Sequence, residues 1–344
     1  MTHYLQKLCS NKIDLDRVNK PFCAIIGSHP SKGARSPLLW NYVTKKLNLD
    51  VQMICLDVDL SNLNELFLEL GNDHNFLGGC LAVPHKSSAF KLIKCADTIT
   101  ANIEAINNIS RDNGKLIGFN TDGHAALECI KNDLIKNLKG QKCILFGLGG
   151  TGQAVLSHLV DAVGASGQIT VVTSCDFKYA RCREKYQDRC NLHKSSFAEL
   201  TSENESYSLV INCSPLGSNL TQKIEEKYFY FQPFGSLDSI TVGDFLTAND
   251  QAEFEHINQR LIAQHFERVS SFLGKFQNIK MFDCVYQPDK TVQSIICDKQ
   301  GIHYLNGTDM NKNQAVLAFE NTLGKFIKGL NHSQIANLMS KAMT

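Results

Sequence analysis

The chain has 344 residues, with 35 basic against 34 acidic side chains and a formal charge of +1. A 43% hydrophobic and 20% charged composition is that of a soluble globular chain long enough for two domains. So even a charge leaves no footprint for nucleic acid or an anionic membrane, no apolar run approaches the roughly 18 residues of a spanning helix, and Met1-Thr-His-Tyr-Leu-Gln-Lys7 lacks the plan of a secretory signal.

A cytoplasmic protein is expected. The 13 cysteines fit that setting: they are scattered singly from Cys9 to Cys297, many inside apolar runs, with no CxxC or Cys/His ligand spacing. They read as reduced thiols packed as small hydrophobes, with no metal site.

In chain order, Phe22-Cys-Ala-Ile-Ile26 is a buried first strand ending at Gly27. Ser36-Pro37 opens a helix to Leu47, with Ser36 as its side-chain cap and proline in its first turn. Val51–Asp57 and Gly79–Val83 read as further strands around a helix at Asn62–Leu70. His124–Asn137 has helical period. Strand Gln141–Phe146 then runs into Gly147-Leu-Gly-Gly-Thr-Gly152 and a helix Gln153–Val163. Gln168–Thr173 and Tyr207–Asn212 supply the next strands of a βαβ series. Residues 225–280 interrupt this rhythm. There a capping box, Asp250-Gln-Ala-Glu253, precedes an apolar face from Phe254 to Leu273. Such a helix would dock on its own domain, cover a cleft or pair with a second subunit. Ser333–Met343 is the closing helix.

Gly147, Gly149 and Gly152 stand where a dinucleotide-binding turn needs them, after a strand and opening a helix. The first allows the tight turn, the second lets a pyrophosphate approach the backbone, and the third lets helix and strand pack closely. With Gly150 and Thr151 they present helix N-terminal N–H groups to phosphates. Asp176, just past the following strand, is placed to accept from both adenosine ribose hydroxyls and to repel a 2′-phosphate. Residues 173–177 hold no arginine, so NAD is favoured over NADP.

Several segments, in order, resemble motifs of the shikimate dehydrogenase and quinate/shikimate dehydrogenase family. They are Ala34-Arg-Ser36-Pro37, Val83-Pro-His-Lys86, Ala105-Ile-Asn-Asn108, Gly118-Phe-Asn-Thr-Asp122-Gly123 and the glycine loop. Ile211-Asn-Cys-Ser-Pro-Leu-Gly217, Asp283-Cys-Val-Tyr286-Gln-Pro288 and Gly307-Thr-Asp-Met310-Asn-Lys-Asn-Gln314 follow. The resemblance implies an α/β fold: an N-terminal α/β substrate domain (1–121 and 307–344, with the C-terminal helices returning to it) and a Rossmann-type doubly wound nucleotide-binding domain (122–306, with an enlarged insert at about 225–280). Substrate and nicotinamide would meet in the cleft between them.

The implied reaction is reversible hydride transfer between NAD or NADP and the C3 hydroxyl or ketone of shikimate or quinate, a step towards aromatic amino acids. Oxidising an alcohol requires a group within hydrogen-bond reach to take its proton. Lys86 matches the family's lysine for that role and Asp122 its carboxylate partner; the bland alternatives are a solvated lysine and a helix cap. Ser36, Asn107, Tyr286 and Gln314 match substrate contacts, and Cys284, Gly307 and Met310 match positions near the nicotinamide. No nucleic-acid or membrane partner is implied, and a homodimer stays open.

The chain also departs from the family. Ala34 stands where a first carboxylate-binding serine is usual, and Ala82 where a threonine is usual. Losing a hydrogen bond to a charged group costs about 1.5–3 kcal/mol, so a changed substrate, such as another cyclitol or an aminoshikimate-type ring alcohol, is the alternative. Arg35 would compensate by pairing with a carboxylate. A non-catalytic metabolite-binding regulator on the same scaffold is the reading from another class.

Overall fold

A computed structural model describes residues 3–82, 84–217, 221–224, 227–230, 263, 266–286, 290–327 and 329–343. The chain divides into two compact units, Met1–Ala125 with Met310–Thr344, and Ala126–Asp309. Asp122 therefore belongs to the first unit, not to the start of the second.

The first unit is built on strands β1 (Phe22–Gly27), β2 (Gln52–Asp57), β3 (Phe76–Leu81), β4 (Lys94–Cys95), β5 (Asn108–Asp112) and β6 (Lys115–Phe119). They form one sheet in the order β2-β1-β3-β5-β6-β4. The first three run parallel, whereas β5 is antiparallel to both its neighbours. The accompanying helices are α1 (His3–Leu8), α2 (Leu15–Val18), α3 (Ser36–Lys46), α4 (Leu63–Asn72), α5 (His85–Phe90), α6 (Thr98–Ile103) and α7 (Asp122–Cys129).

Every residue of β1 is buried, and alternate side chains serve two cores. Phe22, Ala24 and Ile26 pack with Leu5, Leu63, Leu66 and Leu70 of α1 and α4. Cys23 and Ile25 pack on the other face with Leu39, Trp40 and Val43 of α3. A period of two between helical layers accounts for the unbroken apolar run. The expected helix His124–Asn137 is shorter in α form: α7 stops at Cys129 and passes into a π-helical stretch, Ile130–Leu134.

The second unit carries β7 (Lys142–Phe146), β8 (Gln168–Val172), β9 (Asn191–Ser195), β10 (Leu209–Asn212), a hairpin of β11 (Thr221–Ile224) and β12 (Lys227–Tyr230), then β13 (Lys280–Asp283) and β14 (His303–Leu305). Its main sheet has the order β14-β13-β10-β7-β8-β9 and is parallel throughout. Chain order reverses at β7, which is the doubly wound Rossmann topology with its ligand crevice beyond the ends of β7 and β10. Helices α8 (Gly150–Val163), α9 (Asp176–Tyr186), α10 (Phe197–Ser202), α11 (266–274) and α12 (Val292–Gln300) complete it. The capping box and most of the residues expected to form the long amphipathic helix lie outside the described residues. Of that stretch, 266–274 form α11, whose Val269, Phe272 and Leu273 pack with Ile144, Phe146 and Phe197 of the same unit.

The chain closes with α13 (Thr308–Leu323) and α14 (His332–Met343). Phe319 meets Trp40 edge-on at 5.1 Å. The buried Asn108 amide donates to Gly79 O at 2.8 Å and Thr322 Oγ1 at 3.0 Å, fastening α13 to the first sheet. No described helix is long and apolar enough to cross a membrane.

Candidate active site

Lys86 lies in the first turn of α5, whose start is fixed by two contacts. Ala82 O accepts the His85 N–H at 3.0 Å, ending β3 at Leu81 before the expected Val83. The wholly buried His85 ring directs Nε2 to Val58 O at 2.7 Å. A carbonyl can only accept, so Nε2 carries the proton. Burial lowers the pKa of this imidazole and keeps it neutral.

From that anchored turn the Lys86 ammonium donates to Asp122 Oδ2 at 2.6 Å, the two side chains being 18% and 6% exposed. Asp122 is the first residue of α7, and its carboxylate is not spent on capping the helix. Asn120 Oδ1 takes the Asp122 N–H at 3.1 Å instead. The other carboxylate oxygen, Oδ1, accepts from Asn107 Nδ2 at 2.7 Å. Asn107 Oδ1 in turn accepts the Thr121 backbone N–H at 2.9 Å. That N–H can only donate, so the Asn107 amide group must face Asp122. Asn107 Nδ2 also reaches Thr121 Oγ1 at 2.9 Å and Gln314 Oε1 at 3.5 Å. Gln314 is presented by α13, and its backbone oxygen holds the Thr121 hydroxyl at 3.1 Å.

Lys86, Asp122, Asn107 and Gln314 thus converge within one unit. The antiparallel β5–β6 hairpin brings the segment before β5 beside the segment after β6, with Asn107 N bonded to Phe119 O at 3.0 Å. Thr121 and Asn120, inside a quoted motif but not singled out from sequence, are the residues that orient this cluster.

Ser36 is not the cap of α3. Arg35 occupies the cap position in helical conformation, with no side-chain cap bond, and Ser36 is already the first helical residue. Burial pushes the nearby Cys80 thiol up to about 12, against a lowering influence from the Ser36 hydroxyl. Cys80 also feels the charges of Lys86 and Asp122. Ala34 and Ala82 are partly buried against the core beneath α3. Met310 is buried in the first turn of α13, in this unit.

The remaining sequence candidates lie in the second unit. Gly147, at φ +89°, makes the left-handed turn after β7. Gly149 caps α8, and a Cβ there would meet nothing within 4 Å. At Gly152 a Cβ would lie 2.1 Å from Gly147 O, so only glycine fits. Gly149 O accepts the first helical bond, from Gln153 N at 3.0 Å, and geometry leaves the N–H groups of Gly150, Thr151 and Gly152 without intrahelical acceptors. Open space over Gly149, unspent donors and no acid in the first turn suit a pyrophosphate.

Asp176 lies just past the strand, as its position in the sequence suggests. β8 ends at Val172, and Asp176 opens α9, 84% exposed and ion-paired with Lys194 of β9. Cys284 and Tyr286 lie in the turn after β13, and Gly307 donates its N–H to Val285 O at 3.3 Å. Among the described residues no group of His, Cys, Asp or Glu is arranged to hold a metal ion.

Fold and motifs together define a two-unit α/β protein with a Rossmann-type nucleotide-binding unit. A family model described as the shikimate dehydrogenase substrate binding domain matches residues 25–109. The NADP(+) shikimate dehydrogenase of Carboxydothermus hydrogenoformans is 25% identical over 303 residues, 87% of this chain and 90% of its own length. Shikimate 5-dehydrogenase from Listeria monocytogenes, solved with shikimate and NAD, superposes with a TM-score of 0.67 at 19% identity, covering 93% of this chain and 96% of that one. The ligand-free 5-ketofructose reductase of a Gluconobacter strain superposes at 0.63 with 19% identity, covering 94% and 98%. The chain is thus similar to shikimate dehydrogenases, over residues 25–109 by the family model and along most of its length by its relatives.

Proposed function

We propose that the protein is a nicotinamide-dependent oxidoreductase that interconverts a ring alcohol of the shikimate or quinate type and its C3 ketone. The observation that carries this is the Lys86 ammonium, held at 2.6 Å by a carboxylate whose other oxygen is occupied by Asn107. In ketone reduction Lys86 donates a proton to the carbonyl oxygen. In alcohol oxidation the neutral amine takes the hydroxyl proton. The ammonium also stabilises the alkoxide character of that oxygen in the transition state. Asp122 positions the ammonium, and Asn107, Gln314 and Ser36 offer the polar contacts a hydroxylated ring carboxylate needs, with Tyr286 as a further contact. Binding alone would not require the lysine–carboxylate pair, which weighs against a regulator without activity.

Gly147, Gly149, Gly150, Thr151 and Gly152 would hold the dinucleotide, with Cys284, Gly307 and Met310 as candidates to line its nicotinamide end, and the bound group would supply or accept the hydride. NAD is proposed over NADP because Asp176 would repel a 2′-phosphate. The Carboxydothermus relative is named for NADP(+) and the Listeria structure holds NAD, so the choice rests on this chain's own residues. A second reading, the same chemistry on a different cyclitol or an aminoshikimate, rests on Ala34 and Ala82, which offer no hydroxyl where the family usually has one.

Initial rates with NAD and NADP against shikimate, quinate and aminoshikimate test these readings together. Turnover of shikimate or quinate supports the first, and turnover of aminoshikimate alone supports the second. Tight binding of a ring acid without turnover of any would sink both.

A further inference from the structure

Asn212 and Asp283 are register partners at the C-terminal ends of β10 and β13, and a cysteine follows each. Cys284 N donates to Asn212 O at 2.9 Å, so the parallel ladder still holds where the two thiols begin. Cys213 Sγ and Cys284 Sγ lie 3.5 Å apart. Neither is in a disulfide, and both are partly exposed.

Neighbouring strands lie ~4.8 Å apart, inside the ~4.4–6.8 Å Cα separation that a disulfide spans. Closing the sulfurs to ~2.05 Å therefore takes about 1.5 Å of side-chain movement. Other thiols that sense one another, Cys23 with Cys80 and Cys143 with Cys190, are buried, out of reach of a dissolved reagent.

The pair borders the crevice where chain order reverses. A Cβ at Gly152 would lie 3.5 Å from Cys213 Cβ, and one at Gly147 would lie 3.0 Å from Ser214 N. The turn that begins at Cys213 thus backs directly onto the glycine loop.

We propose that Cys213 and Cys284 form a dithiol site for a peroxide-class oxidant, closing reversibly to a disulfide that reshapes the wall of the nucleotide crevice. One thiolate attacks a peroxide oxygen, giving a sulfenic acid and water. The second thiolate attacks that sulfur and expels hydroxide, which leaves as water. Two thiols and one hydrogen peroxide thus become one disulfide and two waters. An added dithiol reopens the bridge by exchange and is itself oxidised. The covalent step stands whether or not the chain reduces ring ketones.

The test treats the full chain with hydrogen peroxide, blocks remaining thiols and maps peptides by mass spectrometry with and without dithiothreitol. The expected product is a Cys213–Cys284 linked pair, two hydrogens lighter than its separate peptides, lost on reduction and absent from Cys213→Ser. Calorimetric titration with NAD and NADP should show affinity lowered by about tenfold in the oxidised form and restored by dithiothreitol. A sulfinic acid on either residue with no linked peptide overturns the proposal. So does a bridge that leaves both nucleotide affinities unchanged. The wild-type mass map decides the first point even if the serine variant does not fold.

Discussion

Replacing Asp122 by asparagine keeps the shape of the polar cluster and changes only its bonding. The carboxylate accepts from Lys86 at 2.6 Å and from Asn107 at 2.7 Å, one donor per oxygen. A carboxamide offers one oxygen and one N–H₂, so one donor must face another donor. Asn107 cannot turn to relieve this, because the Thr121 N–H holds its oxygen at 2.9 Å. One bond to a charged acceptor, about 1.5–3 kcal/mol, is lost outright, and the other weakens by about 1 kcal/mol on becoming less charge-assisted. If the reaction needs the pair intact in the transition state, kcat/KM falls by about 2.5–4 kcal/mol, or roughly 70- to 900-fold. Initial-rate measurements with the best ring substrate and either nicotinamide read this directly, with circular dichroism as the check on folding. A folded Asp122→Asn protein within about threefold of wild type would refute the reasoning.

The glycine loop predicts a contrast between two substitutions. Gly149→Ala adds a methyl where nothing lies within 4 Å, so thermal stability should hold while nucleotide affinity falls. Gly152→Ala forces a Cβ to within 2.1 Å of Gly147 O, so the melting temperature itself should drop, by several degrees for about 2 kcal/mol of strain. Equal melting curves for the two variants would remove the packing argument. Asp283 is wholly buried, and burial pushes its carboxyl up to about 7 against hydrogen bonds from Val285, Asn212 and Tyr304. An unfolded carboxyl titrates near 3.9. Between these values the folded state keeps a proton the unfolded chain has lost, so stability declines as pH rises from about 4 through about 7. Chemical denaturation across that range should show Asp283→Asn free of much of this decline; parallel profiles would contradict it. Asp176→Ala leaves Lys194 without its carboxylate and should raise NADP use relative to NAD, and an unaltered ratio would count against the ribose assignment.

The elements legible in the sequence are those whose cause is local. β1 is an unbroken apolar run because both its faces are covered, and the glycine loop declares itself because a left-handed turn and a close helix–strand contact each demand glycine. β4, β5 and β6 carry no such mark. Asn108–Asp112 and Lys115–Phe119 mix polar and apolar residues, and what makes them strands is the neighbour each pairs with. Lys86, Asn107 and Asp122 were nameable only through the resemblance, since no spacing rule joins residues brought together by an antiparallel hairpin. Ser36 misled because Ser-Pro at a helix start is a strong capping pattern. Here Arg35 is already helical and takes the cap position, so Ser36 falls inside the first turn.

The most direct test of the account is Lys86→Ala, assayed for turnover and for dinucleotide affinity in the same preparation. Lys86 and the glycine loop belong to different units, so affinity should stay at the wild-type value while kcat falls by about 10²–10⁴-fold, the usual contribution of a positioned acid–base group. Undiminished turnover in a protein that still binds the dinucleotide would show that the proton travels by another route.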